Sequence, residues 1–236
     1  FKRILFRRGE TFTSSTNGIV TADGPGLIGA FGSGARPIIA GESNKLAFGG
    51  TSNNDMADWR VVGLDLDGET NPTGTEAISA YGPIKQLTIL NNSIRRMRNV
   101  GVAGCESLDS INVSSALAPM HSEWVWQDTT FDANTNGLLL AQTNSAFMGN
   151  LATNQAANHV LRFIYAQNVV VSNSDHTGTG GGTALTVRGV DFSDPAVRIS
   201  SGTNCNVNTI ALGDPASYTQ NIVMTENKLS GPASIT

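Results

Sequence analysis

Three short runs of this sequence hold side chains that can do chemistry. Asp65-Leu66-Asp67-Gly68-Glu69 spaces its acids two apart, so on an extended strand the carboxylates leave the same face. Oxygen ligands arranged in this way suit Ca²⁺. Beside a uronate, such an ion neutralises the sugar carboxylate and acidifies the neighbouring C–H. The run lacks the ligand spacing of an EF-hand loop, and the plainer alternative is a solvated strand end running into a glycine turn. Arg95, Arg96 and Arg98 form the densest basic cluster. Arg95 is the candidate cation for a substrate carboxylate, against the alternative of ordinary surface charge. Asp175-His176 precedes the glycine-rich stretch 177–182. It offers an imidazole for proton transfer, oriented by Asp175 or Asp128, or else a plain loop histidine. Asp67 and Asp128 are the candidate pair of carboxylates for glycoside hydrolysis, against two unrelated surface acids.

These residues are far apart in sequence, so only a repeating fold can bring them together. Several segments share the pattern apolar, any, apolar, then small or polar residues, then apolar. Examples are Leu87-Thr88-Ile89, Trp124-Val125-Trp126, Val169-Val170-Val171 and Ile222-Val223-Met224. The pattern recurs from residues 4, 27, 61, 87, 124, 147, 169, 197 and 222, with a spacing floor near 22 residues. A second set of alternating strands lies between them, around Leu138-Leu139-Leu140, Leu161-Arg162-Phe163 and Leu185-Thr186-Val187. Alternation means strands with one buried face. Helical periodicity is confined to possible turns at 76–81 and 107–117. Strands without helices at this period predict an all-β solenoid of about nine coils. Each strand then pairs with its equivalent one turn away, at about 4.8 Å, to make a rod of roughly 40 Å. Asn150, Asn173 and Asn227 are expected at corners, where Asn tolerates left-handed backbone and its amide can bond to a stacked Asn. A β-sandwich or jelly roll is the competing fold, but it does not explain the spacing floor.

In this register Asp65, Asp67, Asn91, Asn92, Asp128, Asn150, Asn173 and Asp175 are expected to face outward. They form a polar stripe of roughly 20 Å over four coil steps. Such a stripe suits an extended sugar chain. Asp67, Asn92, Asn150 and Asn173 would supply hydrogen bonds, and Trp126 an apolar platform unless it belongs to the core.

Composition limits the alternatives. Of 236 residues, 39% are hydrophobic and 14% charged, against an average near 25% charged, and 22 are Asn. The net charge of -4 argues against nucleic acid as a partner. No apolar run approaches the roughly 18 residues of a membrane span. The two cysteines, Cys105 and Cys205, form no disulfide framework, and with three His they make a structural zinc site unexpected. The chain opens inside the strand-like Phe1-Lys2-Arg3-Ile4-Leu5-Phe6 without a Met, and it ends at Thr236 without a capping helix. Residues 1–236 are therefore read as one domain, a piece of a longer chain.

Gly9-Glu10-Thr11-Phe12, the run Ile28 to Ile39 (Ile-Gly-Ala-Phe-Gly-Ser-Gly-Ala-Arg-Pro-Ile-Ile) and Asn92-Ser93-Ile94-Arg95-Arg96-Met97-Arg98-Asn99-Val100-Gly101 resemble coils of right-handed parallel β-helix proteins of the pectate-lyase-like superfamily. The resemblance implies a right-handed single-stranded parallel β-helix that here lacks the family's N-terminal capping helix. It also implies a secreted or cell-surface location. Many such proteins cleave or epimerise acidic polysaccharides, and others are tail spikes. Asp194-Pro195-Ala196 lacks the His of the epimerase motif, so that activity is not carried over. The expected function is a structural or adhesive β-helix section, able to bind polysaccharide and to self-associate end to end or laterally. The alternatives are a β-eliminating lyase and a glycoside hydrolase. No cofactor is required on this reading, and calcium is the one ion the acids would suit.

Overall fold

The computed structural model describes residues 1–41, 45–48, 56–68, 76–80, 84–97, 111–112, 121–134, 138–140, 142–154, 159–164, 166–176, 183–188, 198–199, 220–231 and 233–235. Among these every regular element is a strand, and all but one pairing is parallel. Sheet 1 stacks Lys2–Arg7, Gly26–Phe31, Met56–Val62, Ile84–Leu90, the pair His121–Ser122 and Val125–Gln127, Gln142–Met148, Gln167–Ser172 and Gln220–Thr225. Sheet 2 stacks Thr11–Thr13, Ile38–Ala40, Asp65–Asp67, Ser93–Arg95, Thr130–Asp132, Leu151–Thr153, Asp175–His176 and Lys228–Leu229. A third wall comes in two parts: Ile19–Val20, Leu46–Phe48 and Ile78–Ala80 early in the chain, then Leu138–Leu140, His159–Ile164, Thr183–Arg188 and Ala233–Ile235. Each strand pairs with its counterpart one repeat later, which is the topology of a β-solenoid.

The register explains the sequence pattern. In sheet 1 the columns Trp59–Leu87 and Val61–Ile89–Trp126–Phe147–Val171 point inward and are buried. Residues between them, such as Thr88, Val125, Ala146 and Val170, face out. The interior is aromatic at its middle. The Trp126 ring lies 5.8 Å from that of Phe131 and stacks on Phe147 at 6.4 Å. Trp124 is fully buried and donates its indole N–H to the Ile84 carbonyl at 2.8 Å. Burying such rings is worth several kcal/mol each by area, at about 25 cal/mol per Å².

Two details differ from the sequence expectation. The segment beginning at 197 is not a rung of sheet 1, because Val170 pairs directly with Val223. Its Arg198–Ile199 instead forms a short antiparallel bridge with Ile111–Asn112. The described residues therefore give sheet 1 eight rungs. An apolar-x-apolar triplet is too short a pattern to tell a rung from an insertion. The turn expected at 76–81 is strand at Ile78–Ala80, where Ala77 and Ile78 are buried. Most of 107–117 and both cysteines fall outside the described residues.

Candidate functional site

The corner between sheets 1 and 2 sets the direction of every candidate side chain. From the third rung on, it is two residues long. The first takes a left-handed backbone: Gly63, Asn91, Asp128, Gly149, Asn173 and Glu226 have φ of 71°, 54°, 49°, 62°, 48° and 54°. Gly, Asn and Asp tolerate this region best. The second turns inward: Leu64, Asn92, Thr129, Asn150, Ser174 and Asn227. The corner thus breaks the strand's alternation, and the residue after the left-handed one points into the rod.

The inward polar residues form a continuous ladder. Asn92 accepts from the Leu64 N–H at 2.9 Å and donates to the Val61 carbonyl at 3.0 Å. Asn150 repeats this on the Thr129 N–H and Trp126 carbonyl, and Asn227 on the Ser174 N–H and Val171 carbonyl. Thr129 and Ser174 alternate with them. Their hydroxyls accept from the Asn92 and Asn150 N–H groups and donate to the carbonyls of Gln127 and Ser172. The ladder satisfies backbone groups that the tight corner removes from the sheets. At the next corner Asn134 does the same for Met97 N–H and the Ile94 carbonyl. Direct amide-to-amide stacking, expected at the corners, occurs elsewhere. The exposed Asn144, Asn168 and Asn221 bond in series at 2.9 Å each, at a left-handed bend within the sheet 1 strands.

Three residues of the expected outer stripe, Asn92, Asn150 and Asp67, are buried, and so is Trp126. Asn92 and Asn150 are ladder members, 0% and 2% exposed. Trp126, offered as a sugar platform, is core at 0%. Asp67 lies on the sheet 2 face but is covered by arginines. Asn91, Asp128 and Asn173 do sit outward as corner residues, and Asp175 is half-buried.

Sheet 2 brings Arg95 and the acids of Asp65-Leu66-Asp67 together. Ser93 pairs with Asp65, and Arg95 with Asp67. Arg95 Nε donates to both Asp65 oxygens at 2.9 and 3.2 Å, and its Nη2 lies 2.8 Å from Asp67 Oδ2. Arg96 forms a fork on Asp67, with Nε at 2.8 Å from Oδ1 and Nη2 on Oδ2. The hydrogen bond to Asp65, reinforced by the charges of Asp65 and Asp67, raises the Arg95 pKa further above its usual value, so Arg95 is a fixed cation. Asp132, next along this face, is held by the Thr153 hydroxyl and the Asn154 amide at 2.8 and 2.9 Å. The two acids expected to hold calcium are thus both engaged by guanidinium groups, and Glu69 lies outside the described residues. The pair does not fit a cation site. Among the described residues no three His, Cys, Asp or Glu groups gather for a metal.

His176 is placed apart from these groups. It points inward in the column Phe131–Ala152–His176–Leu229 and is 1% exposed. Among the described residues neither ring nitrogen has a hydrogen-bond partner. Burial pushes its pKa down to about 4, opposed by the nearby charge of Asp175. Asp175 itself pairs outward with Lys228 at 3.3 Å. Imidazole and carboxylate therefore leave opposite faces of one strand. Asp128 sits on the outer corner, where its Oδ2 accepts from the Gln127 amide at 3.1 Å and its Oδ1 lies over Gly149, which has no side chain to obstruct it.

Sequence reasoning passed over Arg8 and Arg36. Arg8 reaches the corner at Gly63 and Arg36 the next one at Asn91, and the signal available was a wide glycine-rich loop, Gly32-Ser33-Gly34-Ala35-Arg36-Pro37, replacing the tight corner. No described helix is long and apolar enough to cross a membrane. Compared with protein-family models, with curated proteins and with solved structures, the chain finds no match in any of the three.

Proposed function

We propose that the chain is a non-catalytic structural or adhesive section of a secreted or surface protein, built as a right-handed parallel β-helix of the pectate-lyase-like kind and able to hold acidic polysaccharide on its outer face. The parallel stacked sheets support the architecture. Right-handed crossovers are the general rule for parallel strands joined in this way.

The observation that carries the non-catalytic part is the separation of the acid–base candidates. His176 faces the interior, Arg95 is clamped between two aspartates, and Asp128 stands on the outer corner. A general base must reach the proton it removes, and none of these three shares a cleft with another. Calcium has no part in this reading, because binding at Asp65 and Asp67 would have to displace two arginines. Self-association has its own support. Ile4, Phe6, Phe12 and Val20 line an open apolar cavity of about 210 Å³ at the first rung, which a further coil of this or another chain would cover.

The test is incubation with polygalacturonate and with alginate. The expected result is retarded migration of the protein in gels containing the polymer, with no ultraviolet-absorbing unsaturated ends and no new reducing ends. Unsaturated products would replace this reading with a lyase, and reducing ends alone with a glycoside hydrolase. Light scattering should give a mass above that of one chain.

A further inference from the structure

We infer that Arg8, Arg36 and Phe31 form a binding subsite for a sugar carboxylate or sulfate at the stacked corners of Gly63 and Asn91. The placement follows from the fold. Gly63 has no side chain, takes φ of 71° and is buried. From two rungs earlier, Arg8 brings its Nη2 to 3.3 Å from the point where a Gly63 Cβ would stand. From the rung between, Arg36 donates from Nη2 to Oδ1 of Asn91, the corner residue one rung after Gly63, at 2.6 Å. The two guanidinium groups thus reach the stacked corner positions 63 and 91, one rung apart.

Among the described residues neither arginine has a carboxylate partner. Arg8 donates to the Gly34 carbonyl at a long 3.4 Å, and Arg36 to the Asn91 amide oxygen. The acids nearest in register are taken: Glu10 by Arg7 at 3.3 Å, and Asp65 by Arg95. Each guanidinium has five N–H donors, so most remain available at the corner. Like charges at adjacent corners repel, and an oxyanion accepting from both removes the repulsion while meeting the bidentate geometry arginine favours. Lys2, Arg3 and Arg7 fall in the same first rung and add to the positive field.

A second observation specifies a sugar. Phe31 is 49% exposed, and its carbonyl accepts from the Arg8 N–H at 2.9 Å. Phe31 ends the strand that leads into the loop carrying Arg36, so an exposed aromatic at this strand end suits a pyranose ring carrying an acidic group, with the ring on Phe31 and the acid on the guanidiniums. The choice of a saccharide as occupant rests on the proposed function above; the oxyanion site does not.

The experiment follows the Gly63 amide and the arginine Nε–H signals by ¹H–¹⁵N NMR of the whole chain. One arm titrates sodium sulfate against sodium chloride at matched ionic strength. The other titrates short oligogalacturonate. Sulfate is expected to give saturable shifts at Gly63, Arg8 and Arg36, weakened at least tenfold in both Arg8→Gln and Arg36→Gln. Oligogalacturonate is expected to shift the same signals and to lose affinity in Phe31→Ala. Arg60→Gln, at a surface pair elsewhere, should change neither. Sulfate shifts that never saturate, or that survive both arginine variants, overturn the site. Saturable sulfate binding with no response to oligogalacturonate keeps the site and overturns the saccharide occupant.

Discussion

The first two rungs and the later ones solve the same corner differently. From Gly63 onward the chain turns from sheet 1 to sheet 2 in two residues, and the buried Asn, Thr and Ser side chains supply the backbone partners that so tight a turn would otherwise lack. At Arg8–Glu10 and Gly32–Pro37 the turn is wider. It has no inward ladder residue, and long arginines lie along its outside. A tight corner forces its polar groups inward and uses them for stability. A wide one leaves its polar groups outside, available to a ligand.

The contrast can be broken most severely at Asn150. Replacement by Ala leaves the Thr129 N–H and the Trp126 carbonyl buried without partners, and each orphan costs about 1–3 kcal/mol. Urea unfolding of Asn150→Ala should show a loss of about 2–5 kcal/mol. A loss below about 1 kcal/mol would mean the ladder does not hold the corner.

Acid should come next. His176 is depressed to about 4 from an unfolded value near 6.5, so the native state favours the neutral ring. Its contribution is complete above pH 6.5 and is lost as pH falls toward 4, by about 3 kcal/mol in all. The charged groups nearest it are Asp175 on its own strand and Lys228 on the next. Stability of the parent measured between pH 7 and 4.5 should fall more steeply than that of His176→Leu. Parallel curves for the two proteins would show that the ring is not the titrating group.

Asp67→Asn should cost about 1–3 kcal/mol, because it removes the charge that Arg95 and Arg96 share while leaving an amide in the same space. The measurement is the midpoint of urea unfolding. The smallest effect is expected in the wide loop, where Ser33→Ala should stay within about 0.5 kcal/mol by the same assay. A larger loss there would erase the distinction between the two kinds of corner.

Strands were legible because alternation survives in them: Trp124 and Trp126, Val169 and Val171 read directly as pairs facing one way. Corners were not. Asn91-Asn92 looks like two outward polar residues at a strand end. A left-handed Asn91 rotates the path, so Asn92 points inward although its composition suggests a surface. The same step hides His176. Asn173-Ser174 is a corner, so the strand restarts at Asp175 and its second residue faces the core. Before a glycine run the sequence instead suggested an exposed loop. The ion pairs of Arg95 and Arg96 were out of reach for another reason. They depend on which rung lies beside which, and repeat lengths between 21 and 53 residues cannot fix that from spacing alone.

From the third rung on, every extra residue in this chain is accommodated on the return path, after sheet 2 and before the next strand of sheet 1. Val62 to Asp65, Leu90 to Ser93 and Thr225 to Lys228 are equally short, while the way back from His176 to Gln220 is long. Insertions can enter there, on either side of the third wall, without shifting the side chains stacked in sheets 1 and 2. The molecule therefore has one conservative flank that fixes its shape and one permissive flank on which new sequence can be tried.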